Sequence, residues 1–179
     1  MKPVRDIILA ATLAVGFVAP TLNGAEIVPG EVWHDVGGQP INAHGGGMLH
    51  HAGKFFWYGE FKTGKTFLPD CNKSWGGTRV DTVGVACYSS TNLTDWKNEG
   101  IVLAAVKGDT NSDLHTSKVL ERPKVIYNAA TKKFVLWMHI DSTDYAAARC
   151  GVAVSDSPTG PFNYLGSFRP NAGVWPENV

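Results

Sequence analysis

One order of short strands and turns occurs twice in this chain, and that repeat limits what it can fold into. In the first pass, residues 47–51 lead through the turn signal Ala52-Gly53 into Lys54-Phe55-Phe56-Trp57-Tyr58-Gly59-Glu60. A small-apolar run, residues 83–90, follows a long polar stretch, residues 63–81. A turn at residues 91–95 then precedes a fourth strand, Trp96 to Leu103. In the second pass, the strand at residues 122–127 turns at residues 128–131 into a strand at residues 132–140. Residues 150–155 form the next strand, Ser157-Pro158-Thr159-Gly160-Pro161 turns, and residues 162–168 complete the unit.

Individual residues repeat as well as the order. Gly84-Val85-Ala86 recurs as Gly151-Val152-Ala153, sixty-seven positions on, and Lys54-Phe55 as Lys133-Phe134. Trp57 finds an aromatic counterpart in Trp137, and both are expected in the core. Hairpin-linked four-strand units recurring at such a spacing indicate propeller blades. A β-sandwich is the other arrangement of such strands. Twenty Gly, ten Pro and 11% aromatics suit short strands and tight turns better than long helices. Two blades are visible, whereas propellers close with roughly 4–8. The chain therefore reads as part of a larger ring.

The first 25 residues stand outside this pattern. Lys2 and Arg5 precede an apolar run, Ile7 to Ala19, with small residues near Gly24–Ala25. This is the layout of a secretory signal peptide, and the run is shorter than the ~20 residues of a membrane span. A buried N-terminal element is the alternative. Without Lys2, Arg5 and Asp6, 14 basic and 15 acidic residues remain, a net charge of −1. Near-neutrality argues against nucleic acid or an anionic membrane as partner and suits a neutral ligand. No Cys follows the apolar run until Cys71, so no lipid anchor is expected.

Of the three cysteines, Cys71 lies in the polar stretch, and Cys87 and Cys150 in strand patterns. One disulfide, such as Cys71 with Cys87, and buried free thiols are both open. There is no Cys-x-x-Cys, no His-Glu-x-x-His and no phosphate loop, and Gly45-Gly46-Gly47 is a lone triplet. His44, His139 and Asp141 lack a metal-ligand spacing, so neither metal nor cofactor is expected. Asn92-Leu93-Thr94 matches a glycosylation acceptor, a short pattern that also arises by chance.

Four segments carry a family likeness. Residues 40–47 (PINAHGGG), 57–60 (WYGE), 121–128 (ERPKVIYN) and 151–162 (GVAVSDSPTGPF) resemble glycoside hydrolase family 43, nearest to its exo-β-1,3-galactanase branch. The resemblance runs from about residue 31 to residue 171. It implies an all-β, five-bladed β-propeller with a sugar pocket on the propeller axis. Residues 26–179 would supply about its first two blades. It also implies inverting hydrolysis, in which a carboxylic acid protonates the leaving oxygen and a base activates water, the two ~6.5–9.5 Å apart.

Most members place the base Asp on the first strand of the first blade. The corresponding Ile41-Asn42-Ala43-His44-Gly45 has no carboxylate. That departure fits the galactanase-like branch and leaves the base unassigned. The acid and its tuning Asp would lie beyond Val179, so no catalytic residue is expected within this chain.

Candidate substrate contacts are Glu60, Glu121, Arg122 and Tyr145. Glu121 opens the inner strand of the second blade, beside Arg122 and just before Pro123, where no ladder donor is needed. The alternatives are a structural Glu–Arg pair, a solvated strand end for Glu60 near Lys62, and loop packing for Tyr145. Trp33, Trp75 and Trp175 fall in loops and are candidates for stacking on sugar. The resemblance thus implies a secreted or periplasmic glycosidase, monomeric when complete, acting on a plant-type polysaccharide such as galactan. A non-catalytic carbohydrate-binding propeller and a structural propeller are the competing readings. If the first 25 residues are a signal, mass spectrometry of the exported protein finds an N-terminus near Gly24–Ala25; an intact Met1 would refute this.

Overall fold

The structure, a computed structural model, describes residues 27–63 and 80–170. Cys71, Trp75, Trp175, the signal segment and most of the polar stretch lie outside the described residues. Eight strands are formed: β1 (His44–His51), β2 (Lys54–Lys62), β3 (Thr82–Ser90), β4 (Lys97–Ala104), β5 (Val119–Asn128), β6 (Lys133–Asp141), β7 (Arg149–Ser155) and β8 (Asn163–Phe168). They make two antiparallel four-stranded sheets, each in sequence order, β1-β2-β3-β4 and β5-β6-β7-β8. Among the described residues there is no helix.

The turns follow from local chemistry. Ala52 and Gly53 take φ of 48° and 76°, and His51 pairs with Lys54. Positive φ at both central residues is what a two-residue hairpin needs to match strand twist. The β5–β6 turn is longer. Asn128 Oδ1 accepts from the N–H groups of Ala130 and Thr131, at 3.0 and 3.1 Å, and Lys132 turns left-handed with φ 55°. β6 therefore starts at Lys133, one residue later than the sequence reading places it. β5 starts at Val119, so Glu121 is its third residue rather than its opening one.

Side-chain alternation along the strands builds the core between the sheets. Phe56, Tyr58, Val85 and Cys87 of the first sheet meet Leu120, Val125, Phe134, Leu136, Met138 and Ile140 of the second. Burying each of these side chains stabilises the pair by roughly 1.5–3 kcal/mol. Tyr58 is fully buried, and its hydroxyl donates to the Pro158 carbonyl at 2.6 Å, joining the first sheet to the turn before β8. Cys87 is buried beside it as a free thiol, pushed up to about 12 by burial and by the charge of Glu99.

The opposite face of the first sheet carries a second cluster of Ala86, Tyr88 and Trp96. Trp57 packs there, edge-on to Trp96 at 5.3 Å and to Trp33 at 5.6 Å. Trp33, expected as a stacking surface for sugar, is thus a packing partner of Trp57.

Pairing also corrects the register of the repeat. With Lys54 matched to Lys133, the residue equivalent to Trp137 is Tyr58, one position after Trp57. Leu136 and Met138 face the first sheet, whereas Trp137 points the other way and is 37% exposed. Trp57 and Trp137 therefore occupy unlike positions, and Trp137 lies outside the core between these two sheets. The Gly-Val-Ala match is out by two residues: Val85 pairs with Glu60 but Val152 with Trp137. A shift of two keeps each side chain on its face, which is why the motif still looks periodic.

Tyr58→Phe keeps the ring but strands the Pro158 carbonyl. It should cost about 1–3 kcal/mol in urea unfolding; a change below ~0.5 kcal/mol would mean this link contributes little.

Candidate functional site

The first strands of the two sheets, β1 and β5, carry the same irregularity. β1 has a bulge between His44 and Gly47, and β5 between Glu121 and Lys124. Before the bulge His44 pairs with Glu60, and Glu121 with His139; after it Gly47 pairs with Tyr58, and Lys124 with Trp137. Position by position, Gly45 corresponds to Arg122 and Gly46 to Pro123. Gly45 has φ +55° and Arg122 φ +53°, so both turn left-handed at the same point. Pro123 fits because a bulge residue donates no ladder bond.

At this bulge the sheets are tied together. Glu60 is only 4% exposed, so the solvated reading of this residue does not hold. Its Oε1 accepts the Arg122 N–H at 2.9 Å, and its Oε2 pairs with Lys62 Nζ at 2.6 Å. The bond to Arg122 offsets the cost of a left-handed non-glycine residue, roughly 1–3 kcal/mol. Glycine is required at 45 in turn, since a Cβ there would lie 2.7 Å from Glu60 Oε1.

Glu121 stands beside this tie. Its Oε1 accepts the Tyr145 hydroxyl at 2.7 Å and lies 3.9 Å from Lys62 Nζ; its Oε2 faces His139 Nδ1 at 3.7 Å. Lys62 is therefore shared between two carboxylates. The Glu121 side chain keeps 18% of its surface exposed. It is a partly open acceptor, with the Lys62 cation and the Tyr145 phenol both on Oε1 and the His139 ring facing Oε2.

Tyr145 is held by a loop that Asp141 organises. Asp141 Oδ1 accepts the N–H groups of Ser142, Ala147 and Ala148 at 2.9, 2.7 and 2.9 Å. Its Oδ2 accepts from His139 Nε2 at 2.8 Å. Tyr145 and Ala148 take φ of 60° and 47° within this loop. Burial pushes the Asp141 carboxyl up, but the bonds from Ala148, His139, Ser142 and Ala147 outweigh it and hold the group below the usual aspartate range.

Of the four candidate contacts, the structure brings Glu60, Glu121 and Tyr145 together around Lys62. Arg122 joins through its backbone N–H, while its exposed side chain lines a shallow depression with Lys124, Trp137 and Arg149. Sequence reasoning took Lys62 only as a neighbour of Glu60 and weighed Asp141 only as a metal ligand. The signal was an alternating pair on one strand face, Glu60-x-Lys62 and His139-x-Asp141, at equivalent places in the two sheets. Asn42, in the stretch without a carboxylate, closes the end of β2: its Nδ2 donates to the Lys62 carbonyl at 2.8 Å, and its Oδ1 accepts the Lys62 N–H at 3.2 Å. Among the described residues, no three His, Cys, Asp or Glu are grouped to hold a metal ion.

Comparison with known proteins fits this geometry. No family model matches the chain, and no curated protein does. Solved structures do. A glycoside hydrolase family 43 β-1,3-galactosidase bound to galactodeoxynojirimycin is 46% identical, with a TM-score of 0.68, over 81% of this chain and 39% of that one. The exo-β-1,3-galactanase of Phanerochaete chrysosporium with β-1,3-galactotriose is 38% identical, TM-score 0.67, over 80% of this chain and 30% of its own. That of Clostridium thermocellum is 40% identical, TM-score 0.64, over 80% and 28%. The family resemblance read from the sequence is borne out, and the chain spans less than two-fifths of the length of these three structures.

The lowered Asp141 carboxyl fixes the sign of one pH effect. A depressed carboxyl contributes stability above the ordinary aspartate value of ~3.9, and loses it as pH falls toward its folded value. Between about pH 5 and 3, wild-type protein should therefore lose urea stability more steeply than Asp141→Asn. Parallel curves would show that the Asp141 bonds do not favour the charged form.

Proposed function

We propose that this chain, similar over four-fifths of its length to family 43 β-1,3-galactosidases and exo-β-1,3-galactanases, is the N-terminal part of an exported hydrolase cleaving β-1,3-linked galactan. The two sheets are the first two blades of a five-bladed propeller, with β1 and β5 lining its axis. The observation that carries this reading is the Glu121–Tyr145–Lys62 cluster beside the tied inner strands, in a chain 46% identical to a galactosidase.

In this reading the chain's own residues bind and orient. The open side of Glu121 accepts hydrogen bonds from sugar hydroxyls, with Lys62 Nζ 3.9 Å from its other oxygen. Tyr145 fixes one Glu121 oxygen through its hydroxyl and offers its ring face to the sugar. Arg122 donates from the rim to a ring or hydroxyl oxygen. Binding without a proton donor does not lower the barrier to cleavage. The acid and its tuning Asp are proposed to lie after Val179, so residues 26–179 alone bind weakly and do not turn over.

The test compares residues 26–179 with the complete reading frame on β-1,3-galactan. The complete protein should cleave it, and Glu121→Gln should lower kcat/KM by roughly ten- to a hundredfold, equivalent to ~1.5–3 kcal/mol, with little change in melting temperature. A large fall in melting temperature with unchanged kinetics would make Glu121 structural. Galactan binding by the complete protein without any hydrolysis would favour the non-catalytic reading, which the missing carboxylate at residues 41–45 already permits.

A further inference from the structure

Asp141 touches none of the proposed sugar contacts, yet its two oxygens act on both sides of Glu121. Its side chain is 2% exposed and engaged at both oxygens. Through Oδ1 it gathers three N–H groups of residues 142–148, a segment with two left-handed non-glycine residues, and so places the Tyr145 hydroxyl 2.7 Å from Glu121 Oε1. Through Oδ2 it takes the bond from His139 Nε2.

The chemistry of that second bond has a consequence for Glu121. An ionised carboxylate only accepts, so Nε2 must carry the proton. In the neutral ring Nδ1 is then a lone pair. It stands 3.7 Å from Glu121 Oε2, beyond hydrogen-bond distance. That oxygen therefore stays unfilled on the His139 side, while the other is fixed by Tyr145.

We infer that Asp141 is a positioning residue for sugar recognition: it holds the Tyr145 loop against one oxygen of Glu121 and keeps the His139 proton on Nε2, leaving the other oxygen free for a sugar hydroxyl. This rests on the proposed galactan-binding role of Glu121. The groups around His139 are Glu121 of β5, Asp141 on its own strand and Tyr145, whose ring centroid is 6.0 Å away; Lys62 of β2 reaches Glu121, and Arg122, Lys124 and Arg149 line the same shallow depression as His139.

Asp141→Asn separates the two actions. Its amide oxygen can still accept the loop N–H groups, but its NH2 faces Nε2 and drives the proton to Nδ1, where the N–H points at Glu121 Oε2 and, by closing the 3.7 Å gap, competes with sugar for that oxygen. In the complete protein, this variant should raise KM for β-1,3-galactotriose about tenfold, with kcat within twofold. The 15N spectrum of His139 should change from the Nε2–H to the Nδ1–H form. Asp141→Ala, which removes the loop anchor too, should raise KM further. A changed tautomer with KM within twofold would overturn the inference, as would an Nδ1–H ring in the wild type. If the wild type neither binds nor cleaves galactotriose, the proposed function fails. The spectra then decide the positioning claim on their own: an Nε2–H ring that switches in Asp141→Asn supports it, and an unswitched ring refutes it.

Discussion

The Glu60 carboxylate is the contact on which the rest of this arrangement depends. It is buried on β2 of the first sheet, yet one of its oxygens is bonded to the backbone of β5 in the second. A buried carboxylate is tolerated only when its charge is matched and its oxygens filled, and here Lys62 and the Arg122 N–H do both. The tie fixes where β5 bulges. The bulge fixes where Glu121 leaves the strand, and hence where a sugar hydroxyl could meet it. Small residues at 45–47 let β5 come close enough for this bond to form, and Lys124 Nζ reinforces the approach by donating to the Gly45 and Gly46 carbonyls at 2.9 and 2.8 Å.

The two sheets share a backbone plan but divide its chemistry. At equivalent positions the first has Glu60 and Lys62, the second His139 and Asp141, each pair joined along one strand face at 2.6 and 2.8 Å. In the first sheet the carboxylate comes first and bonds across to the neighbouring sheet. In the second it comes two residues later, at the strand end, and bonds a loop. Equivalent strand positions thus hold a clamp in one sheet and a loop anchor in the other.

Much of this was legible in the residues. Ala52-Gly53 announced its hairpin, and all eight strands lie within a few residues of where apolar runs and turn signals put them. The register of the repeat was not legible. Phe55, Phe56, Trp57 and Tyr58 are all large and aromatic, so parity alone does not say which pair faces the second sheet. Trp137 was misplaced for the same reason. Glu121 stood out as a candidate through its family segment, but its place within β5 did not, because the Arg122-Pro123 bulge breaks the alternation that marks a strand. The role of Asp141 was hidden, because its partners are backbone N–H groups six and seven residues on, which carry no side-chain signature.

The contrast between Glu60 and Glu121 bears on what each could do in a reaction. Both oxygens of Glu60 are committed to bonds that hold the sheets, so its ligand contribution is limited to shaping the wall. Glu121 has one oxygen fixed by Tyr145 and, among the described residues, the other faces the ring edge of His139. Its charge is supported by Lys62 at 3.9 Å, a distance that attracts without filling a lone pair. A carboxylate oriented on one side and open on the other can exchange water for a sugar hydroxyl with little rearrangement, because the neighbours that fix its direction are already in place. In the proposed role, what Glu121 can accept follows from which of its bonds are left unmade, and those are set by two neighbouring carboxylates: Glu60 through the clamp, Asp141 through the loop.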